Sequence, residues 1–164
     1  MIKNSFEIVN EAMKNQPVDL DQLCSELGIT LSRKRLPDTM SGKIERKDDN
    51  QFEITVNKTH GAYRQRFTIA HEIGHFILHR HLMGTGISDN TAYRSDDCEM
   101  GNSNIKASHE AEANRFAAAL LLPKELVVDR FNNVTQDIAK LAKYFEVSQQ
   151  AMKIRLKTFR LIPG

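Results

Sequence analysis

The residues in this chain that could do chemistry together are His71, Glu72 and His75. They form the His-Glu-x-x-His of Arg66-Phe67-Thr68-Ile69-Ala70-His71-Glu72-Ile73-Gly74-His75-Phe76. On an α-helix, residues four apart share a face with Cβ atoms roughly 5–6 Å apart. His71 and His75 can then hold one metal ion between them, and Glu72, one position round, can reach a water on that metal. Three fixed letters in five recur by chance, so the pattern needs a context. Here Phe67, Ile69, Ala70, Ile73, Phe76, Ile77 and Leu78 make the segment apolar. Imidazoles on a core-facing helix need partners, and a metal supplies them.

Two histidines leave a metal short of ligands, because a catalytic zinc takes three protein ligands and a water. A second helical pattern, residues 108–122, offers His109, Glu110 and Glu112, with Ser108 as a natural N-cap and Pro123 as the stop. At about 100° per residue, His109 falls near the centre of the apolar stripe and the two glutamates at its opposite edges, so periodicity does not choose. Two arguments favour Glu110. Asn114 lies one turn on, on the same face, and a metal-bound imidazole needs an acceptor for its other ring N–H. Glu110 also sits at the entrance of an otherwise apolar helix, where a carboxylate tolerates desolvation better if it holds a cation. His79, four residues after His75, could also face the metal; as a residue at the end of its helix it is expected to suit the exposed carbonyls there. His60 and His81 are expected to face solvent.

The elements that must position these groups follow from local patterns. Residues 1–15 read as an amphipathic helix ended by Pro17, and residues 19–28 as a short helix with Asp19 as N-cap and Gly28 just past its end. Residues 29–36 can be extended. Residues 43–47 alternate as an edge strand would, Asp48-Asp49-Asn50 is a turn, and residues 52–57 alternate as a half-buried strand. The metal helix follows, starting near Arg64 or Gln65. Residues 80–107 are polar and glycine-bearing, a long loop of the kind that tends to be functional, with a short extended piece at Tyr93-Arg94-Ser95. Lys124 to Phe131 continues as a helix broken by Asn132-Asn133, and residues 135–148 and 149–161 make a helix-turn-helix arrangement. The fold class expected is α+β: a small mixed or antiparallel sheet of about three strands packed on helices. Residues 1–125 would form the catalytic domain and residues 126–164 a helical segment packed on it.

Bulk properties narrow the function less. The 164 residues are 40% hydrophobic and 27% charged, the composition of a soluble globular protein, and the net charge of +2 gives no electrostatic case for nucleic acid, membrane or acidic substrates. Arg33-Lys34-Arg35 and the basic residues of 153–160 read as solvated surface. Cys24 falls on an apolar helical stripe and Cys98 in a polar loop, a pattern that fits a reducing compartment. No signal-like stretch opens the sequence and no apolar run approaches the ~20 residues of a membrane span, so a cytoplasmic protein is expected.

With these residues in view, the chain resembles the ImmA/IrrE family of metallopeptidases, relatives of the zincins. The resemblance rests on residues 66–76, on Glu110-x-x-Ala113-Asn114-x-Phe116-Ala117 and on Leu120-Leu121-Leu122-Pro123, with looser matches at 18–28 and 137–147. It implies a zincin-like fold in which His71, His75 and Glu110 bind one zinc ion per chain. It further implies that Glu72 is the catalytic acid/base and that Asn114 partners a zinc-bound histidine. Tyr93, Arg94 and His109 are candidates for an oxyanion or substrate contact. The substrate implied is a protein, a helix-turn-helix transcriptional repressor encoded nearby, cleaved in a stress, phage or mobile-element response. Two other readings compete. One is a partner-binding component of a toxin–antitoxin-like pair with a silent metal site. The other is a DNA-associated regulator acting through the C-terminal helices, for which Lys153, Arg155, Lys157 and Arg160 supply charge. An intact Glu72 favours the enzyme, since a structural metal site has no use for a base beside its ligands.

Overall fold

The computed structural model of the protein describes residues 2–83 and 105–164 in full and residues 92–95 as backbone. The described chain runs α1 (Ser5–Met13), α2 (Leu20–Glu26), β1 (Ile29–Lys34), β2 (Met40–Asp48) and β3 (Gln51–Asn57). After these come α3 (Ala62–His79), a 3₁₀ turn (Arg80–Leu82) and β4 (Ala92–Ser95), then α4 (Ala107–Leu121), α5 (Lys124–Asn133), α6 (Ile138–Phe145) and α7 (Gln149–Thr158). The α+β class is as expected, with a mixed sheet in the order β1-β3-β2-β4.

Local chemistry explains most boundaries. Asn4 and Asp19 accept the N–H groups of Glu7 and Gln22 at 2.9 and 3.0 Å, capping α1 and α2. Gly28, just past α2, has φ +77°, a backbone conformation that a side chain would strain. Asp137 and Ser148 cap α6 and α7 in the same way as Asn4 and Asp19, and Glu146 ends α6 in the left-handed region at φ +56°. Ser108 is not the cap of α4. The helix starts earlier, at Ala107, and its entrance is closed by His109, whose Nδ1 accepts the Lys106 N–H at 3.0 Å.

Sheet order departs from the local patterning. β3 pairs in parallel with β1 and antiparallel with β2 through the expected hairpin. β2 alternates as an edge strand would, yet it is interior, because β4 pairs with its other side: Gly42 faces Arg94, Lys43 faces Tyr93 and Ile44 faces Ala92. The short extended piece read at Tyr93-Arg94-Ser95 thus supplies the strand beyond the expected three. Its partner lies some fifty residues away in sequence, which no local periodicity reports.

The site helix α3 lies between the sheet and α4, touching β2 and β3 on one side and α4 on the other. That position explains why its residues from Thr68 to Phe76 are buried without a break. Ile44, Ile54 and Val56 of the sheet, Ile69 and Ile73 of α3, and Leu120 and Leu121 of α4 share one core. Leu141, Met152 and Leu156 of the C-terminal helices belong to the same core. Each such side chain, fully buried, contributes about 1.5–3 kcal/mol. Phe52 and Phe76 meet edge to face at 5.0 Å, fixing β3 against α3. Two glycines set how closely the layers approach. A Cβ on Gly42 would lie 2.6 Å from Thr68 Cγ2 of α3 and 2.7 Å from the Thr55 carbonyl. One on Gly74 would lie 3.1–3.2 Å from Phe116 and from the Ala113 backbone of α4.

Polar ties fasten α3 to the rest. The Arg66 guanidinium donates to the Val18 carbonyl at 3.1 Å and pairs with Glu146 at 3.3 Å. Arg155 donates from Nε to the Leu122 carbonyl at 3.0 Å, so this basic residue of α7 is engaged internally. Arg33 pairs with Asp21 at 2.8 Å. His60 is half-buried, with Nε2 3.1 Å from the Asp38 carbonyl and 3.3 Å from Asn57 Nδ2, contrary to the expectation of a solvent-facing ring; His81 is exposed as expected. Cys24 is buried, and Cys98 lies outside the described residues. No described helix is long and apolar enough to cross a membrane.

Candidate metal centre

Successive turns of α3 carry His71, His75 and His79 on one face, and α4 brings Glu110 and Asn114 to them from the opposite side. The seam between the helices is built from small residues: Gly74 on α3 against Ala113 of α4, with Ala117 one turn on, fully buried. Larger residues at these positions would hold the backbones apart and keep the Glu110 carboxylate from reaching an imidazole on α3. The close packing is therefore a condition of the site.

Glu110 bridges the two histidines. Its Oε2 is 2.8 Å from His71 Nε2 and its Oε1 is 3.1 Å from His75 Nε2. Among the described residues, His71, His75 and Glu110 form the group whose ligand atoms converge, all within 4.8 Å of one another. The opposite ring nitrogens are also engaged: His71 Nδ1 lies 2.7 Å from Asn114 Oδ1, and His75 Nδ1 lies 2.9 Å from His79 Nδ1. Both imidazoles thus turn Nε2 toward a common point. The histidine side chains are 1% exposed and that of Glu110 is 32% exposed, so the group is closed behind the rings and open on the carboxylate side.

A metal ion fits this arrangement. Two donors each about 2.0–2.1 Å from a tetrahedral zinc lie roughly 3.3 Å apart, close to the spacing between the Glu110 oxygens and the two Nε2 atoms. The donor chemistry agrees, two imidazoles and a carboxylate suiting a borderline-soft divalent ion. Ligation requires an ionised carboxylate. Burial raises the Glu110 pKa, but the hydrogen bonds from His71 and His75 outweigh it and hold the carboxyl down to about 2. Glu72, next to His71 on the helix, is fully buried.

The remaining candidates fall in different places. Glu112 does not join the convergent group; its Oε1 lies 3.3 Å from His79 Nε2. His109, with Nδ1 closing the entrance of α4, sets its ring centroid 4.8 Å from that of His79, the two planes tilted by 55°. Tyr93 and Arg94 lie on β4, and their side chains are outside the described residues. His79 also departs from its sequence expectation. Rather than serving exposed carbonyls at the helix end, it is 3% exposed and bonded to both His75 and Glu112. Burial, then the neighbouring His75, holds its imidazole below the ordinary value against the pull of Glu112. The four-residue spacing from His75 was the available signal.

Comparison with known proteins decides the family. The sequence model of a peptidase family, described as the IrrE N-terminal-like domain, matches residues 24–157, which include every residue of this site. The chain belongs to that metallopeptidase family. Relatives within reach of direct comparison are the radiation response metalloproteases IrrE of Deinococcus radiodurans, 36% identical over 104 residues, and of Deinococcus deserti, 35% identical over 104 residues. Each match takes in 62% of this chain, but only 29% and 34% of the respective relatives, so the chain spans about a third of their length. A solved structure, a Mycobacterium tuberculosis transcriptional regulator, superposes with a TM-score of 0.59 over 92% of this chain and 46% of its own at 20% identity; that likeness concerns the fold alone.

Proposed function

We propose that this protein is a zinc-dependent endopeptidase that cleaves a specific protein substrate, a transcriptional repressor of the helix-turn-helix class, as part of a stress, phage or mobile-element response. The observation that carries the reading is the convergence of His71, His75 and Glu110 beside the buried Glu72 in a chain of a metallopeptidase family. His71 and His75 through Nε2, and Glu110 through its carboxylate, would hold one zinc ion per chain. When bound, that ion supplies Lewis acidity, bringing the pKa of a water to about 7 and polarising the scissile carbonyl.

The chain's own residues do the rest. Glu72 accepts a proton from the attacking water and returns it to the leaving amine as the C–N bond breaks. Asn114 keeps the His71 ring in the tautomer and orientation that present Nε2. Tyr93 and Arg94, on the strand that closes the sheet beside β2, are candidates for oxyanion or substrate contacts, as is His109 through Nε2. A cytoplasmic location and a helical segment at 126–164 packed on the catalytic part belong to the same reading.

The test uses the zinc-loaded protein and the repressor encoded beside its gene, incubated with and without a chelator. Discrete repressor fragments that disappear with chelator are expected. A stable complex with intact repressor would replace this reading with that of a partner-binding component.

A further inference from the structure

The two candidate ligand histidines have their outer nitrogens held in unlike ways. His71 meets a neutral amide oxygen, Asn114 Oδ1, at 2.7 Å. His75 meets another imidazole, His79 Nδ1, at 2.9 Å, and His79 in turn places Nε2 3.3 Å from Glu112 Oε1. Two ring nitrogens at 2.9 Å share one proton, one carrying it and the other offering a lone pair. A histidine that binds a metal through Nε2 carries its proton on Nδ1. His75 is then the donor, His79 accepts at Nδ1, and His79 is therefore the Nε2–H tautomer that donates to Glu112. Each hydrogen bond in the chain has one direction. The His79 ring is also held mechanically, 3% exposed, with its centroid 5.1 Å from the His75 ring and 4.8 Å from that of His109.

We propose that His79 is a positioning residue of the metal centre, accepting the His75 Nδ1–H, fixing the tautomer and tilt of that ring, and linking it to the Glu112 carboxylate. The inference rests on reading His71, His75 and Glu110 as metal ligands. It assigns the site two unlike supports, a direct amide on His71 and an imidazole–carboxylate pair on His75.

Zinc affinity measured by competition with a chromophoric chelator tests this, with apoprotein melting followed for each variant. His79→Phe keeps a ring and removes the acceptor, and is expected to bind zinc about 10–100-fold more weakly. His79→Asn, whose side-chain oxygen can stand in for Nδ1, is expected to recover most of that loss. The visible absorption bands of the cobalt-loaded protein should shift in His79→Phe. Affinity within twofold of wild type for His79→Phe, with unchanged cobalt bands, would overturn the assignment. So would His79→Asn binding as weakly as His79→Phe at an equal melting temperature. If His79→Phe does not fold, His79→Gln takes its place, because its oxygen reaches past the Nδ1 position; equal affinities for His79→Gln and His79→Asn would then overturn it. His75→Ala separates the two levels of the argument. Zinc binding unaffected by His75→Ala removes the ligand reading and this inference with it, whereas binding lost in His75→Ala but intact in His79→Phe removes the positioning role alone.

Discussion

The Nδ1 atom of His71 lies 2.7 Å from Oδ1 of Asn114, across the α3–α4 seam, while Nε2 of the same ring lies 2.8 Å from Oε2 of Glu110. Glu110 and Asn114 are four apart on α4, so one helix face supplies both the carboxylate that shares the site with His71 and the amide that orients it. Asn114→Ala should therefore weaken zinc binding about 10–100-fold without unfolding the protein. Chelator competition, read beside the circular dichroism spectrum, measures both. Unchanged affinity would mean that solvent replaces the amide at no cost.

Glu72 is fully buried yet is not one of the convergent ligand atoms, which separates its role from theirs. Glu72→Gln keeps the size and hydrogen-bonding capacity of the side chain and removes the proposed base. Zinc content by elemental analysis should stay at one per chain, and cleavage of the proposed repressor substrate should fall at least about 100-fold. A metal-loaded variant that still cuts would remove Glu72 from the proton transfer.

Gly74 tests the packing that the site depends on. Gly74→Val drives side-chain atoms into Phe116 and the Ala113 backbone, where even a Cβ already lies at 3.1–3.2 Å. The expected loss is about 1–3 kcal/mol in urea unfolding, accompanied by weaker zinc binding as Glu110 is displaced from α3. Gly61→Ala at the start of the same helix is the control, because nothing lies within 4 Å of its Cβ position. It should stay within about 0.5 kcal/mol of wild type.

The Glu110 carboxyl gives the metal-free protein an acid dependence of definite sign. Its pKa falls from the ordinary 4.5 to about 2 in the folded state. A group whose folded pKa is depressed stabilises the fold fully above its unfolded pKa and loses that contribution as pH falls through the folded one. Urea unfolding of the apoprotein should therefore show stability falling between about pH 4.5 and pH 2, with a smaller slope in Glu110→Gln. Equal slopes would show that the carboxyl titrates alike in both states.

Much of this molecule is written in short-range patterns. The four-residue spacing of His71 and His75 places both on one turn-to-turn face of a helix, whatever surrounds it. The Asp19 cap, the Gly28 stop and the Asp48-Asp49-Asn50 hairpin turn are likewise decided by residues within a few positions of each other. Periodicity on α4 could bring Glu110 and Asn114 to one face, but it left His109 and Glu112 as rivals for the ligand position.

Tertiary contacts settled what spacing left open. The approach permitted by Gly74 and Ala113 sets α4 at a rotation where Glu110 spans both imidazoles and Glu112 falls on His79. His79 shows the same division. Its sequence position at the end of an amphipathic helix suggests a solvated cap, and only the packing of α4 over it makes it a buried partner of His75. β2 looks like an edge strand until β4, from the far side of α3 in the sequence, pairs with it. Side-chain type and spacing determined which groups could do the chemistry, because helix geometry carries over a few residues. Which of them meet was decided by backbone approach between segments about forty residues apart, and no local pattern encodes that distance.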